Sequence, residues 1–224
     1  MTISIQNSFK LLFITALTVL TFQVQAQDWK SDRKVNVLFG LTQPLFVDGF
    51  NIEANYVHNR LIFDYSHGTS LDFYGTTLTE ELQEQGVAVH MPWTTGFGVG
   101  YRLNEWLNLR AEPKWHRFEF YYNGEAQTPE NEIVSYNTFS LGMGLYANFR
   151  PFKHQKSFLK GIMVAPSVRY WPTASSTLGS DSFIYNNKIT EKRETIAILD
   201  PGLGFTPFIF NISVGYTIDL RKKR

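Results

Sequence analysis

The stretch Phe208–Leu220 reads FIFNISVGYTIDL, and apart from Ile209 its residues alternate between large apolar side chains and small or polar ones. Because a β-strand directs successive side chains to opposite faces, this alternation gives one hydrocarbon face and one small or hydrophilic face. Its thirteen residues, at about 3.3 Å each, are enough to cross a membrane as a tilted strand. The segment therefore predicts a membrane-spanning strand.

The same alternation recurs along the chain and predicts eight strands. They are expected at 34–42, 50–57, 60–67, 95–103, 106–121, 136–149, 159–171 and 208–220. The connections alternate in character. Those at 58–59, 104–105 and 150–157 are short turns, whereas those at 68–94, 122–135 and 172–206 are long and polar, and 43–49 is a shorter loop on the long-loop side. Tight turns at the periplasmic end and long loops outside are typical of bacterial outer-membrane barrels. An acidic stretch at 79–85 predicts a short helix.

The start of the chain has the features of a secretory signal peptide. Lys10 precedes an apolar run at 11–20, and Val24-Gln25-Ala26 resembles a small-residue cleavage site. We therefore predict a signal peptide at 1–26 and a single barrel domain at 27–224. The sequence contains no Cys, which excludes disulfides and a lipid anchor on an N-terminal Cys. After residue 26 no apolar run approaches the length of a membrane helix, so a mature chain that crosses a membrane must form a closed barrel.

The hydrophilic face of the strands distinguishes a membrane barrel from a soluble one. A soluble barrel such as a lipocalin turns its apolar face inward and should expose many Lys and Glu on the other face. Here that other face is mostly small, as at 96–100, which suits the crowded interior of an eight-stranded barrel. Single charges of both signs occur on it, and we expect them to pair in a lumen ion network, because an unpaired buried charge is costly. The network's predicted members are Glu53, Asp64, Arg102, Arg110, Glu112, Lys114 and Arg169. The alternative is that some of them are solvated rim charges.

Aromatic residues and prolines mark the ends and irregular points of the predicted strands. Aromatic side chains near strand ends are expected to form interfacial girdles. They are Trp93, Tyr101, Trp106, Trp115, Phe149, Phe152, Tyr170 and Trp171. Pro113 and Pro166 predict bulged or irregular sites, because proline lacks the N–H that a ladder needs. The alternation also shifts at 115–118, which predicts a bulge where the fifth strand leaves the membrane.

The last strand also carries a resemblance to a known class of protein. Ser213, Gly215, Ile218 and Leu220 take the places of the polar residue, the glycine and the two hydrophobic residues of the C-terminal assembly signal of outer-membrane proteins. The mature region resembles the small eight-stranded barrels typified by OmpA, OmpX and OmpW, and the outer-membrane β-barrel proteins of Bacteroidetes-type bacteria. The usual signal ends in Phe, whereas here Leu220 is followed by the basic tail 221–224, which we expect in the periplasm.

The resemblance implies an all-β, eight-stranded antiparallel transmembrane up-and-down β-barrel in the bacterial outer membrane. It further implies insertion by the barrel assembly machinery, and contact with outer-membrane lipid and lipopolysaccharide. A net charge of +1 does not favour nucleic acid as a partner.

Residues with catalytic potential are sparse. Ser66 and His67 close the third strand at the predicted outer rim, with Asp64 nearby. A Ser beside a His suggests nucleophilic hydrolysis, and some small outer-membrane barrels are lipid A deacylases. Adjacent residues point to opposite faces of a strand, however, and the deacylase pattern spaces His and Ser by one residue, so a polar rim cluster is the favoured interpretation. The other histidines show no metal-ligand spacing, and the glycines at 96–100 open no helix that could bind a dinucleotide.

These features together predict a non-enzymatic outer-membrane barrel with a structural or surface-interaction role and a lumen filled by its own side chains. No cofactor, metal or catalytic residue is assigned. Two alternatives remain open: a narrow channel for small solutes, and a lipid A-modifying hydrolase at the outer rim. The external ligand is not specified by the sequence.

Overall fold

The computed structural model describes residues 32–220, which form a closed antiparallel barrel and a folded cap. The strands are β1 (Arg33–Gly40), β2 (Phe50–His58), β3 (Leu61–Phe73), β4 (Val87–Arg102), β5 (Leu107–Tyr122), β6 (Val134–Ala147), β7 (Ile162–Tyr170), β8 (Thr173–Ser176), β9 (Ser182–Asn186), β10 (Arg193–Ala197) and β11 (Phe208–Asp219). Short helices are α1 (Thr42–Phe46) and α2 (Glu80–Glu84), and single 3₁₀ turns lie at Gly75–Thr77, Phe158–Gly161 and Leu203–Phe205. Within residues 32–220 no helix has the length and hydropathy of a membrane span. The predicted signal peptide and the basic tail lie outside the described residues.

Eight of these strands close into a ring. The order is β1-β2-β3-β4-β5-β6-β7-β11, and β11 pairs back onto β1. Every pairing in the ring is antiparallel. After a break at 171–172 the chain pairs with β6 again as β8, in line with β7. β9 and β10 form a separate hairpin. The predicted all-β, eight-stranded up-and-down barrel is confirmed, and each of the eight predicted strands is present.

The connections at one end of the barrel are short for identifiable reasons. β2 and β3 are joined by the two residues Asn59 and Arg60, and Asn59 has a φ of +57°, a conformation that Asn tolerates better than most residues. The β4–β5 turn is held by Asn104, whose Oδ1 accepts the backbone N–H groups of Trp106 (2.9 Å) and Leu107 (2.7 Å). Outer-membrane barrels have their short turns on the periplasmic side, so this end is assigned as the periplasmic end.

The outside of the ring is a continuous apolar belt. On β11, Phe208, Phe210 and Ile212 are about half exposed. Other outward members are Val37, Ile52, Tyr56, Phe63, Tyr65, Phe97, Val99, Leu109, Leu141, Met143, Leu145 and Val168. Rings pack at both margins: Trp115 lies between Phe97 and Phe139, and Trp106 stacks on Phe149. None of these outward residues is charged, and a closed barrel with an apolar exterior and aromatic margins is a transmembrane barrel of the bacterial outer-membrane type.

The barrel wall is taller on one side than the sequence predicted. The segment 68–94, predicted as a loop, is mostly strand, because β3 and β4 stay paired up to Phe73 and Val89. Along each of these two strands, the inward-facing positions change between even-numbered and odd-numbered residues. Ser70 has a φ of +53°, and the β4–β5 pairing shifts by one residue between His90 and Thr94. These irregularities interrupt the period of two that a strand prediction relies on. Only 74–86 connects the two strands, and it contains α2, so the helix predicted at 79–85 is confirmed.

Above the belt the interior becomes an apolar core, here called the outer dome core. Its buried members are Leu71, Leu78, Leu82, Val87, Val89, Met91, Phe118, Phe120, Tyr136, Phe183, Tyr185, Ile196 and Leu199. The tall strands β3–β6 supply its wall, while α2 and the β9–β10 hairpin supply buried side chains from above. Both Phe118 and Phe120 are fully buried and face inward. The outer loops therefore fold into a packed structure instead of extending separately into solvent.

Of the three predicted irregularities, the bulge is wrong, whereas each proline does interrupt the pairing with one neighbouring strand. β5 keeps even-numbered residues inward from Asn108 to Phe120, so it has no bulge at 115–118. The apparent change of alternation at 115–118 arises because the inward residues of β5 switch there from the polar lumen to the apolar dome core. The extra residue of the irregular pairing belongs to the opposite strand, β4. The pairing across Pro113 resumes in the same register, and Pro166 pairs with Ile212 in an unbroken ladder. Pro113 has a pairing partner in β6 but none in β4, and Pro166 has one in β11 but none in β6. The missing N–H of each proline therefore falls on the side without a partner and does not force a bulge.

Candidate functional site

The centre of the lumen is built around the inward row of β5. Arg110, Glu112 and Lys114 occupy alternate positions on this strand, and small residues stand opposite them on the neighbouring strands. Their partners in register are Gly144 and Gly100 for Arg110, Gly142 for Glu112, and Gly96 and Ser140 for Lys114. Because an eight-stranded barrel has room for few long side chains at one level, the glycines of β4 and β6 provide the space that the β5 charges fill.

Arg110 is the most connected side chain of the lumen. It is 1 % exposed, and one Nη donates to Glu53 Oε1 at 2.5 Å. Its Nε donates to Asn108 Oδ1 at 2.8 Å and its second Nη to Asn55 Oδ1 at 3.3 Å. The guanidinium carbon lies 3.8 Å from the centre of the Tyr146 ring. Arg110 thus uses its planar fork for hydrogen bonds and its face for a cation–π contact.

The remaining charges close the network around Arg110. Lys114 Nζ donates to Ser66 Oγ at 2.5 Å and lies 3.8 Å from Glu112 and 3.9 Å from Asp64. Asp64 is also 3.7 Å from Arg110, and Arg169 is 3.5 Å from Glu53. Three carboxylates therefore meet three cations, so the buried charge is balanced. All six of these side chains are at most 5 % exposed.

The structure brings together six of the seven residues expected in the lumen network. The seventh, Arg102, is buried elsewhere, at the periplasmic end of the barrel. There it donates to Asp32 at 2.6 Å, and Lys34 donates to the same carboxylate oxygen at 2.8 Å. Arg102 also donates to the backbone carbonyl of Asn59 at 3.0 Å, which ties it to the β2–β3 turn. The ionic residues therefore form two groups at different heights.

Two aromatic side chains seal the network from below and above. The Tyr146 hydroxyl donates to Glu112 Oε1 at 2.5 Å, and its ring also faces Arg169. The Trp171 indole N–H donates to the other Glu112 oxygen at 3.0 Å, and the ring lies 5.1 Å from Lys114 Nζ. Trp171 was expected in an interfacial girdle, and this prediction is wrong: its side chain is 5 % exposed and turns into the barrel at the break between β7 and β8.

The sealing rings were missed from the sequence, although a signal for them exists. Tyr146 shares the inward parity of Gly142 and Gly144 on β6. A side chain at Gly142 would collide with Trp171, and a Cβ at Gly144 would lie 2.5 Å from the Tyr146 ring. Small residues at a crowded level indicate that larger side chains pass over them. The glycines of β6 could therefore have predicted that two aromatic rings pack against this strand inside the barrel.

Ser66 and His67 do not form a catalytic pair. Ser66 is buried in the lumen and accepts the hydrogen bond from Lys114, while His67 lies on the opposite face of β3. Nucleophile and base must lie within hydrogen-bond reach of each other, and these two side chains do not. Among residues 32–220 no group of three or more potential ligands is arranged to hold a metal ion.

The residues of the predicted assembly signal lie on both faces of the last strand. Ser213 is buried in the lumen, and Gly215 packs closely against the β1 backbone at Val37 and Leu38. Ile218 and Leu220 are about half exposed in the apolar belt. Their role in recognition by the assembly machinery stays a prediction.

The two ends of the barrel carry opposite charge. The outer dome, comprising 41–49, 70–93, 117–133 and 172–207, has 13 acidic and four basic residues. The periplasmic rim, comprising 32–34, 58–60, 102–106, 148–161 and 219–220, has three acidic and eight basic residues. An asymmetry of this size creates fields of opposite sign on the two sides of the membrane.

A polar cluster holds the β9–β10 hairpin of the outer dome together. Glu194 accepts from Asn187 Nδ2 and Thr190 Oγ1, both at 2.8 Å, and from the Tyr185 hydroxyl at 3.2 Å. Hydrogen bonding from Asn187, followed by that from Thr190, lowers the pKa of Glu194. Burial, with Glu194 beside it, raises the pKa of Tyr185 to about 12. Both shifts favour an ionised Glu194 bonded to a neutral Tyr185 at neutral pH.

The chain was compared with known proteins at the levels of family, curated sequence and structure. No protein-family model and no curated protein matches it. Ail, the attachment invasion locus protein of Yersinia pestis, is similar in fold, with 13% identity, a TM-score of 0.41, and coverage of 84% of this chain and 99% of Ail. A major outer membrane protein from Thermus thermophilus has 12% identity, a TM-score of 0.41, and coverage of 85% and 100%. Such values carry no information on activity.

Proposed function

We propose that this chain is a non-conducting outer-membrane barrel whose folded outer dome takes part in interactions at the cell surface. The observation that carries the proposal is the division of the interior. A buried ion network with balanced charge lies at the membrane level, and a buried apolar core lies above it. The membrane part then serves as an anchor, and the part that meets other molecules is the outer dome.

The lumen network argues against the alternative role as a channel. A permeating ion would have to displace Arg110 from Glu53 or separate Lys114 from Ser66. Breaking one partner from a buried ion pair costs about 3–5 kcal/mol, and Tyr146 and Trp171 contact the network from below and above. Protein refolded into planar bilayers is expected to give no steady current. Steady single-channel currents from the wild-type barrel would refute the sealed lumen.

The acidic outer dome supports a partner of positive charge. On α2 alone, Glu80, Glu81 and Glu84 are all exposed or partly exposed. Barrel reconstituted in nanodiscs can be exposed to polylysine and to dextran sulfate as charged probes. We expect polylysine to bind preferentially, and the variant E80Q/E81Q/E84Q to bind it more weakly. The opposite control, K188Q/K192Q, removes cations from the dome and should strengthen binding. Preference for dextran sulfate, or no binding of either probe, would contradict the proposed surface.

The proposal includes no hydrolysis of lipid A. Ser66 and His67 lie on opposite faces of β3, which supports this view. Lipid A mass spectra from cells that express the wild-type chain or the His67→Ala variant should show the same acyl pattern. A pattern that changes with expression of the wild type, and reverts in the variant, would establish the hydrolase alternative instead.

A further inference from the structure

The third periplasmic turn is unusually basic. Residues 148–161 contain Arg150, Lys153, Lys156 and Lys160 and no acidic residue. Lys153 contacts Glu105 of the neighbouring turn at 3.1 Å, and Lys156 and Lys160 are exposed. With eight basic residues against three acidic ones, the periplasmic rim has more positive charge than its own acids neutralise.

The same turn carries exposed aromatic rings. Phe158 is 73 % exposed, and Phe152 is also on the surface. Phe149 stacks on Trp106 with 5.6 Å between ring centres, at the lower margin of the apolar belt. The Tyr216 hydroxyl donates to the carbonyl of Phe158 at 2.8 Å, which fixes the turn against the foot of β11. The turn therefore lies at the level where a membrane meets water.

We propose that the periplasmic rim binds the phosphate groups of anionic phospholipids in the periplasmic leaflet, with 148–161 as its main contact. Lys and Arg side chains next to a membrane attract anionic headgroups, and the exposed phenylalanine rings enter the acyl region beside them. A cell-wall polymer would satisfy the cations but would leave Phe152 and Phe158 in water. The combination of uncompensated cations with exposed rings at one interface favours lipid.

The experiment compares two variants of equal charge change at opposite ends of the barrel. K156Q/K160Q removes two cations from the rim, and K188Q/K192Q removes two from the outer dome. Each protein is refolded into vesicles of equal parts phosphatidylglycerol and phosphatidylcholine, and a heat-dependent gel shift verifies that the barrel is closed. Native mass spectrometry then counts the lipids of each kind that remain bound after transfer to detergent.

We expect the wild type and K188Q/K192Q to retain phosphatidylglycerol preferentially. K156Q/K160Q should lose about tenfold of that preference, since each basic group near an anionic surface contributes several-fold. If K156Q/K160Q does not fold, the wild type alone remains informative, because raising salt from about 0.05 M to about 0.5 M should remove most of its preference through screening.

Three results would overturn the proposal: no preference in the wild type, an unchanged preference in K156Q/K160Q, or an equal loss in both variants. Loss of sedimentation with purified cell-wall sacculi in K156Q/K160Q, with an unchanged lipid count, would assign the rim to the cell wall instead. None of these results would affect the sealed lumen or the outer dome, which are tested separately.

Discussion

Replacing Arg110 by Met tests whether the lumen network is dry and closely packed. Met keeps much of the apolar stem but removes the charge and the planar fork. The substitution deletes the bonds to Glu53, Asn108 and Asn55 and leaves Asp64 with one cation, Lys114, at 3.9 Å. Removing one partner of a buried pair typically costs about 3–5 kcal/mol.

Arg169 moderates this loss, because it stays 3.5 Å from Glu53. We therefore expect Arg110→Met to lower the free energy of unfolding by about 3 kcal/mol, near the lower end of that range. The double variant E53Q/R110M also removes the charge of Glu53, which has lost its Arg110 partner. It should recover about 1–2 kcal/mol of the lost stability, because substitutions of residues in contact within one network are not additive. Urea unfolding in detergent micelles, followed by tryptophan fluorescence, measures both values.

A matched control separates burial from charge. Arg117 also contacts a glutamate, Glu119, at 2.7 Å, but its side chain is one-third exposed. Arg117→Met should cost less than about 1 kcal/mol, as partly solvated ion pairs do. If Arg110→Met costs no more than this control, water reaches the network and the reasoning for a sealed lumen fails.

Three further outcomes follow from the seal and the hairpin. Trp171→Ala opens the space above Glu112; it should reduce stability by about 3–5 kcal/mol and, in planar bilayers, allow currents that the wild type lacks, so silent bilayers would show that Trp171 does not close the lumen. Gly142→Val should block closure of the barrel, because its side chain would collide with Trp171, and a normal heat-dependent gel shift would disprove this. Glu194→Gln should loosen the β9–β10 hairpin in hydrogen exchange at pH 7. Since bonding from Asn187 lowers the pKa of Glu194 below 4.5, the wild-type hairpin should be fully protected above pH 4.5 and lose protection as the pH falls through the lowered value; protection that is unchanged at low pH would contradict this.

The barrel itself could be predicted because its signal is local. The outward and inward residues of β11 follow a period of two from Phe208 to Asp219, and the structure keeps that division along most of the strand. Lumen charges were recognisable for the same reason, since a lone Arg or Glu among glycines has few other places to go. Local pattern and final environment agree wherever the membrane imposes one polarity on each face.

The outer dome could not be predicted from the same pattern. Above the membrane, inward residues such as Phe118 are apolar and outward ones polar, which reverses the rule that holds below. At the same height Ser70 and the irregular stretch 90–94 reverse the parity of β3 and β4. In the sequence, a change of polarity and a change of parity so close together resemble the end of a strand, so the segment was predicted as a loop. Trp171 was misplaced because its direction depends on the break between β7 and β8, which the sequence does not reveal.

The balance of three acids and three bases in the lumen has a consequence for how this protein can change over generations. Neutralising any one of these six residues leaves the buried network with an unbalanced charge. Substitutions in the lumen should therefore occur together in sets that keep the charge balanced, whereas exposed residues of the outer loops can be substituted one at a time. Descendants of this chain should therefore inherit the lumen as a block and diversify at the tips.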